Sequence, residues 1–132
     1  MQTADENAYV IEEFRPIRHD ILAAGLRAEA GDPHRIAGDP RLLAWLRVEG
    51  EQIGVLALDE AAAAAERLST LADFTQDLVL EKVFADGRSV TWPRCLDRTH
   101  GHPMVVALDD GRALWRCPRD ARLVVPIGEL EA

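Results

Sequence analysis

Residues 92–117 read Trp92-Pro93-Arg94-Cys95-Leu96-Asp97-Arg98-Thr99-His100-Gly101-His102-Pro103, then Met104-Val105-Val106-Ala107-Leu108-Asp109-Asp110-Gly111, then Arg112-Ala113-Leu114-Trp115-Arg116-Cys117. Asp-Gly between two apolar runs is the strongest short-range hairpin signal, because both turn positions must tolerate positive φ. It predicts strands over 104–108 and 112–116. Such a hairpin returns the chain to its starting edge, so Cys95 and Cys117, although 22 positions apart, are expected at one end of it. His100 and His102 are two apart, and an extended backbone would project both rings to the same side.

Two thiols and two imidazoles gathered at one end of a hairpin form the donor set of a tetrahedral zinc site. The expected ligands are Cys95, Cys117 and His102, with His100 as the fourth. Asp120, in Cys117-Pro118-Arg119-Asp120, is the substitute oxygen ligand. Pro103 and Pro118 stiffen the backbone beside the ligands and limit the entropy lost in gathering them. Four protein ligands leave no position for a substrate, so the expected zinc is structural. Two other readings of the cysteines stay open on the residues alone. They could be packed free thiols, or a Cys95–Cys117 disulfide, which a reducing cytosol disfavours.

The arrangement resembles a zinc ribbon, a family in which two knuckles of closely spaced Cys or His grip one zinc from either side of a β-hairpin. The resemblance covers residues 92–125. It implies a first knuckle of Cys95 with His100 or His102, and a second running from Cys117 to Asp120. The chain departs from the family pattern twice. The usual second knuckle is Cys-x-x-Cys, where this chain has Asp120. The first spacing is also wider than the common two to four residues. The tail is similar, too, to that of small actinobacterial proteins, a resemblance that implies no activity.

Outward from this stretch, Leu123-Val124-Val125 is expected to add a third strand, stopped by Pro126 and Gly128. Upstream, residues 61–84 are the strongest helix, with Asp59 as N-cap and Glu60 in the first turn. Five alanines favour it, and Leu68, Leu71, Ala72, Leu78, Val79 and Val83 recur at helical spacing. The small side chains of 61–65 are expected to lie close against another helix, in this chain or in a second copy, which leaves room for a homodimer. Leu42–Val48 and 52–58 flank Glu49-Gly50-Glu51 as a hairpin, with Leu42, Ala44, Leu46 and Val48 on one face. Gly-Asp-Pro occurs twice between 31 and 40, marking a loop. From Pro16, the spacing of Ile17, Ile21, Leu22 and Leu26 predicts a helix ending near Ala30-Gly31. Residues 1–7 are polar and expected to fray, and Tyr9, Val10 and Ile11 begin the apolar pattern. Segregated helices and strands point to an α+β fold: one domain of 132 residues, with an acidic helix/hairpin/helix body over 1–87 and a ribbon-like β module over 88–132.

Composition narrows the function classes. With 48% hydrophobic and 29% charged residues, the chain is an ordinary globular one. No apolar run approaches the ~20 residues of a membrane span. The start lacks a signal peptide's basic region and apolar core, so a cytoplasmic location is expected. The net charge of −8 is uneven: residues 1–87 hold 8 basic and 17 acidic side chains, residues 88–122 hold 7 arginines and 4 aspartates. An acidic body excludes a general nucleic-acid-coating protein. It leaves one possible contact face in the module, made of Arg112, Arg116 and Arg119 with Arg94, Arg98, Trp92 and Trp115. No HExxH, GxSxG, Walker or GxGxxG motif occurs, nor the H-x-E and P-C-x-x-C of zinc deaminases. The sequence therefore reads as a non-enzymatic cytoplasmic protein-binding or adaptor protein with a structural zinc. The alternatives are a nucleic-acid-contacting regulator using the arginine-rich ribbon, or a small zinc-dependent hydrolase with Asp97 or Asp120 beside the metal. His19-Asp20, His34 and Glu12-Glu13 read as solvated surface.

Overall fold

Two turns set the strand pairing. Glu49-Gly50 and Asp110-Gly111 take φ of 53° and 79°, and of 51° and 72°, the mirror-image turn that matches the twist of antiparallel strands. The first joins β2 (Leu42–Val48) to β3 (Glu51–Leu58), and the second joins β4 (Val105–Asp109) to β5 (Arg112–Arg116). The computed structural model describes residues 11–132, so the expectations for 1–7, Tyr9 and Val10 lie outside the described residues. Within these, two helices and two three-stranded antiparallel sheets occur: β1 (Ala28–Ala30) extends the first hairpin as β1-β2-β3, and β6 (Val124–Pro126) extends the second as β4-β5-β6. A bulge at Leu46/Arg47 interrupts the β2–β3 register. No helix among the described residues is long and apolar enough to cross a membrane.

Both helices are shorter than expected, for local reasons. α1 spans Phe14–Ala23 and does not reach Ala30. Gly25 takes φ 80°, and the Leu26 N–H bonds back to the Ile21 carbonyl, a left-handed glycine stop. Ala28 and Ala30 then alternate on the buried side of a strand, pairing with Val48 and Leu46. α2 spans Ala64–Ala85. Asp59 does not cap it, because its Oδ1 accepts from the Ala61 N–H at 3.0 Å and closes a separate turn. Glu60 pairs with Arg35 instead. Within the chain, the expected close packing of 61–65 is not realised: Ala61, Ala63 and Ala64 are exposed. The face of α2 that packs is Leu71, Ala72, Thr75, Gln76, Val79 and Val83, at helical spacing. It lies against β3 of one sheet and β4 and β5 of the other. At Gly54, a Cβ would stand 2.8 Å from Leu78 Cδ1, so α2 sits tightly on β3.

One hydrophobic cluster runs from Ile11 to Ile127 and includes residues of both sheets. Among the described residues the buried polar ones are Asp20, Thr75 and Gln76. The Thr75 hydroxyl bonds within α2 to the Leu71 carbonyl, while Asp20 and Gln76 tie separate elements together. Asp20 corrects the surface reading of His19-Asp20, since it is fully buried and every carboxylate contact is satisfied. Its Oδ2 accepts from Trp115 Nε1 (2.8 Å) and the Gly128 N–H (2.6 Å). Its Oδ1 accepts from the Leu130 N–H (3.0 Å) and lies 3.0 Å from His19 Nδ1. The Asp20 carbonyl accepts from Trp92 Nε1 at 3.0 Å. The two indoles meet edge to face, 5.3 Å between centroids. Gln76 Nε2 donates to the Trp92 and Met104 carbonyls, at 3.3 and 2.7 Å.

Asp20→Ala strands the buried indole N–H of Trp115 and the half-buried N–H groups of Gly128 and Leu130. A buried unsatisfied donor costs about 1–3 kcal/mol, so the expected loss is at least that of the indole, about 1–3 kcal/mol. Urea denaturation should show it as a lowered midpoint, and Asp20→Asn should lose less. A midpoint unchanged in Asp20→Ala would refute the role given to this carboxylate.

Candidate metal centre

Two loops leave the anchored tryptophans and meet at one point. The first, after Trp92, is closed at its base by the Met104 N–H on the Pro93 carbonyl (2.9 Å) and by the Arg94–Pro103 bridge. Inside it, Asp97 Oδ1 accepts from the Thr99 N–H (2.9 Å) and the Thr99 hydroxyl (2.7 Å), and the His100 N–H bonds to the Asp97 carbonyl (3.0 Å). This turn folds His100 back over Cys95. The second loop, after Trp115, is closed by the Cys117 N–H on the Leu123 carbonyl (3.0 Å) and contains the 3.0 Å Leu123 N–H to Asp120 carbonyl bond.

Cys95, His100 and Cys117 converge, with one ligand atom from each lying within 4.8 Å of the others. His100 Nδ1 stands 3.4 Å from both sulfurs. Zinc-ligand bonds of about 2.3 Å to sulfur and about 2.0–2.1 Å to nitrogen, set at a tetrahedral angle, separate those donors by about 3.6 Å. The spacing therefore fits a small tetrahedral ion, and soft sulfur with imidazole suits zinc better than magnesium or calcium. Both cysteines are buried and neither is in a disulfide.

The surroundings are those of held ligands. The Arg119 N–H donates to Cys117 Sγ at 3.4 Å. Burial pushes the Cys95 thiol up from its ordinary pKa, and the adjoining Cys117 adds to this; the Asp97 N–H works in the opposite sense. A bound cation would reverse the balance by favouring thiolate. The other ring nitrogen of His100, Nε2, lies 3.5 Å from Asp97 Oδ2. Thr99 holds the Asp97 carboxyl below the usual carboxylate range.

His102 is not one of the three converging ligands. Its ring stacks on that of His100, 5.2 Å between centroids, and its Nδ1 lies 3.3 Å from the Pro103 carbonyl oxygen. The two-residue alternation expected of His100 and His102 presumed extended backbone, and the turn at 97–100 removes it. Asp120 is also outside the cluster: Arg122 occupies both its oxygens at 3.0 Å and its N–H adds a third bond. That pairing holds the Asp120 carboxyl below its usual range.

The proposed contact face is dismantled in part. Trp92 and Trp115 are 1% and 0% exposed and spend their indole N–H groups on Asp20, so they present no ring to a nucleobase. Arg116 pairs with Asp109 at 3.1 Å, while Arg112 and Arg119 are exposed. Asp20 was the residue the sequence concealed. Apart from the adjacent His19, its partners lie 72 to 110 positions away, and no local spacing announces them. No family model, curated protein or solved structure matches this chain, so the chemistry of its own residues carries the functional reading.

Elemental analysis of variants tests the donor set. Relative to whatever transition metal the wild-type protein holds, His100→Ala and Cys117→Ser should each fall to below about a tenth, while Asp120→Ala should stay near the wild-type content. Retention of the full metal content by His100→Ala would overturn the assignment.

Proposed function

We propose that this chain is a non-enzymatic, cytoplasmic protein-binding or adaptor protein whose zinc-ribbon-like C-terminal module is clasped by a structural zinc. The observation that carries the metal reading is a single imidazole nitrogen, His100 Nδ1, placed at 3.4 Å from two buried sulfurs that are 22 positions apart in sequence. Three protein donors leave one coordination position, and His102 is suited to it. Its Nε2 is buried and has no hydrogen-bond partner, a costly state for a polar atom that a metal would relieve. A shift of the stacked ring toward the cluster closes the sphere at two sulfurs and two nitrogens.

The adaptor reading rests on what the clasped module presents. β4 is an edge strand, and its Val105 and Leu108 are exposed, as are Leu96 in the first loop and Phe84 at the end of α2. Edge backbone with apolar side chains invites strand addition by a partner segment. Val105→Asp with Leu108→Asp should abolish recovery of proteins cross-linked to the wild-type module. Recovery of the same proteins by the variant would reject that face.

Protein purified without added metal should hold about one equivalent of zinc. Stripping it with a chelator should raise hydrogen exchange in 94–103 and 117–123 more than in α1 or α2, because binding free energy there is local folding free energy. Less than about a tenth of an equivalent of any transition metal, in normally folded protein, would end the metal reading.

A zinc-dependent hydrolase is the second reading, favoured by one observation. Cys95 and His100 form part of the wall of a cleft of about 850 Å³, bounded also by the end of α1 and the C-terminal residues. Two cysteines and a histidine with an open fourth position are a known catalytic zinc set. X-ray absorption separates the two by the outer-shell scattering of imidazole: two sulfurs with two imidazoles support the structural site, two sulfurs with one imidazole support the open one. Asp97 and Asp120 are poorly placed as a general base, since Thr99 and Arg122 already engage them.

A further inference from the structure

The first loop fixes which nitrogen of His100 meets the metal. Nδ1 faces Cys95 and Cys117, each at 3.4 Å, and Nε2 faces Asp97 Oδ2 at 3.5 Å. A neutral imidazole carries one proton, and a ligand nitrogen must offer its lone pair. A carboxylate beside Nε2 draws the proton there and leaves Nδ1 free for a cation. Asp97 is itself held: its other oxygen, Oδ1, takes both the N–H and the hydroxyl of Thr99, which leaves Oδ2 for the histidine. The three residues lie within a span of four, Asp97-Arg98-Thr99-His100, so one turn builds the ligand and its support together.

We propose that Asp97 is the positioning residue of the metal site, holding His100 in the tautomer and orientation that binds zinc through Nδ1, with Thr99 fixing Asp97. This rests on the metal reading above and adds to it a residue that does not itself touch the ion. A carboxylate–histidine–metal relay of this kind both orients the ring and raises its basicity. Asp97 keeps that role whether the fourth ligand is His102 or an outside donor. Its neighbour Asp120 cannot replace it, because Arg122 engages both Asp120 oxygens.

The test measures zinc affinity of the full chain against a competing chelator, together with the ¹⁵N shifts of the His100 ring. Wild type should show a coordinated Nδ1 and a protonated Nε2. Asp97→Asn presents an amide toward Nε2 and should weaken zinc binding by about 10- to 100-fold while the metal-free variant keeps the wild-type unfolding midpoint. Thr99→Val keeps the carboxylate and its backbone bond, and should weaken binding by less than about tenfold. Thr99→Val also serves if Asp97→Asn does not fold. Affinity within twofold of wild type in both variants, or Nε2 as the coordinated nitrogen, overturns the assignment of Asp97. Wild-type protein that takes up no zinc overturns the metal reading itself, which separates the two failures.

Discussion

The Asp20 carboxylate is the constraint on which the rest of the structure depends. A fully buried ionisable side chain is tolerated only when its lone pairs are filled, and here donors from Trp115, Gly128, Leu130 and His19 face it. These come from α1, β5 and the C-terminal residues. The same residue's carbonyl takes Trp92, so both indoles are tied to one turn of α1. Cys95 follows Trp92 by three positions and Cys117 follows Trp115 by two. The chain segments that carry the two sulfurs therefore start from a common anchor. Gln76 adds a second tie, from α2 to the carbonyls of Trp92 and Met104 at either foot of the first loop. The C-terminal residues close over this anchor so tightly that a Cβ at Gly128 would stand 2.6 Å from Pro16 Cβ.

Much of the fold was legible in the sequence because turn chemistry is local. Asp110-Gly111 and Glu49-Gly50 state their turns in two residues, and the strands beside them follow from alternation. The helices were legible in kind and misjudged at their ends. Ala28-Glu29-Ala30 continues an apolar spacing that suits either a helix or a strand, and only the pairing with Leu46–Val48 selects the strand. Asp59 has the chemistry of an N-cap, and the same chemistry closes an Asx turn one step earlier. Alanine propensity at 61–65 was overridden by that turn for the first three residues. Propensity is a weak prior wherever a short polar side chain offers the backbone another partner.

The site was legible in composition and less so in assignment. The hairpin brings Cys95, His100 and Cys117 to one corner of the molecule, because it must return the chain to its starting edge. Which histidine faces the sulfurs depends on the backbone between Asp97 and His100, and that backbone depends on a side-chain bond from Thr99. Sequence spacing carries no information on such a bond once the segment stops being extended. Asp120 illustrates the same limit, since Arg122 two positions on claims its oxygens. Asp20 is the extreme case: one carboxylate on an amphipathic helix looks like solvated surface until residues far down the chain supply the donors that allow it inside.

These contacts imply a division of labour between core and clasp. In the smallest zinc modules the metal is the core, and the apo chain is unfolded. Here the feet of both ligand loops are fixed without a metal, by the Trp92–Trp115 pair, the Asp20 carboxylate and Gln76. The donors are thereby brought near their binding separation by the fold, and the entropy of gathering them is charged to folding rather than to metal binding. On the proposed metal reading, what remains for an ion is to order the loop tips, 96–102 and 118–122, where side chains are half-buried or exposed and the bonds are local. On that reading, little reorganisation remains for Cys95, His100 and Cys117, and the proposed fourth donor, His102, must shift to join them. The same packing removes Trp92 and Trp115 from any nucleic-acid contact, since their rings are in the core and their indole N–H groups are spent on Asp20. It leaves such a contact to exposed arginines such as Arg112 and Arg119.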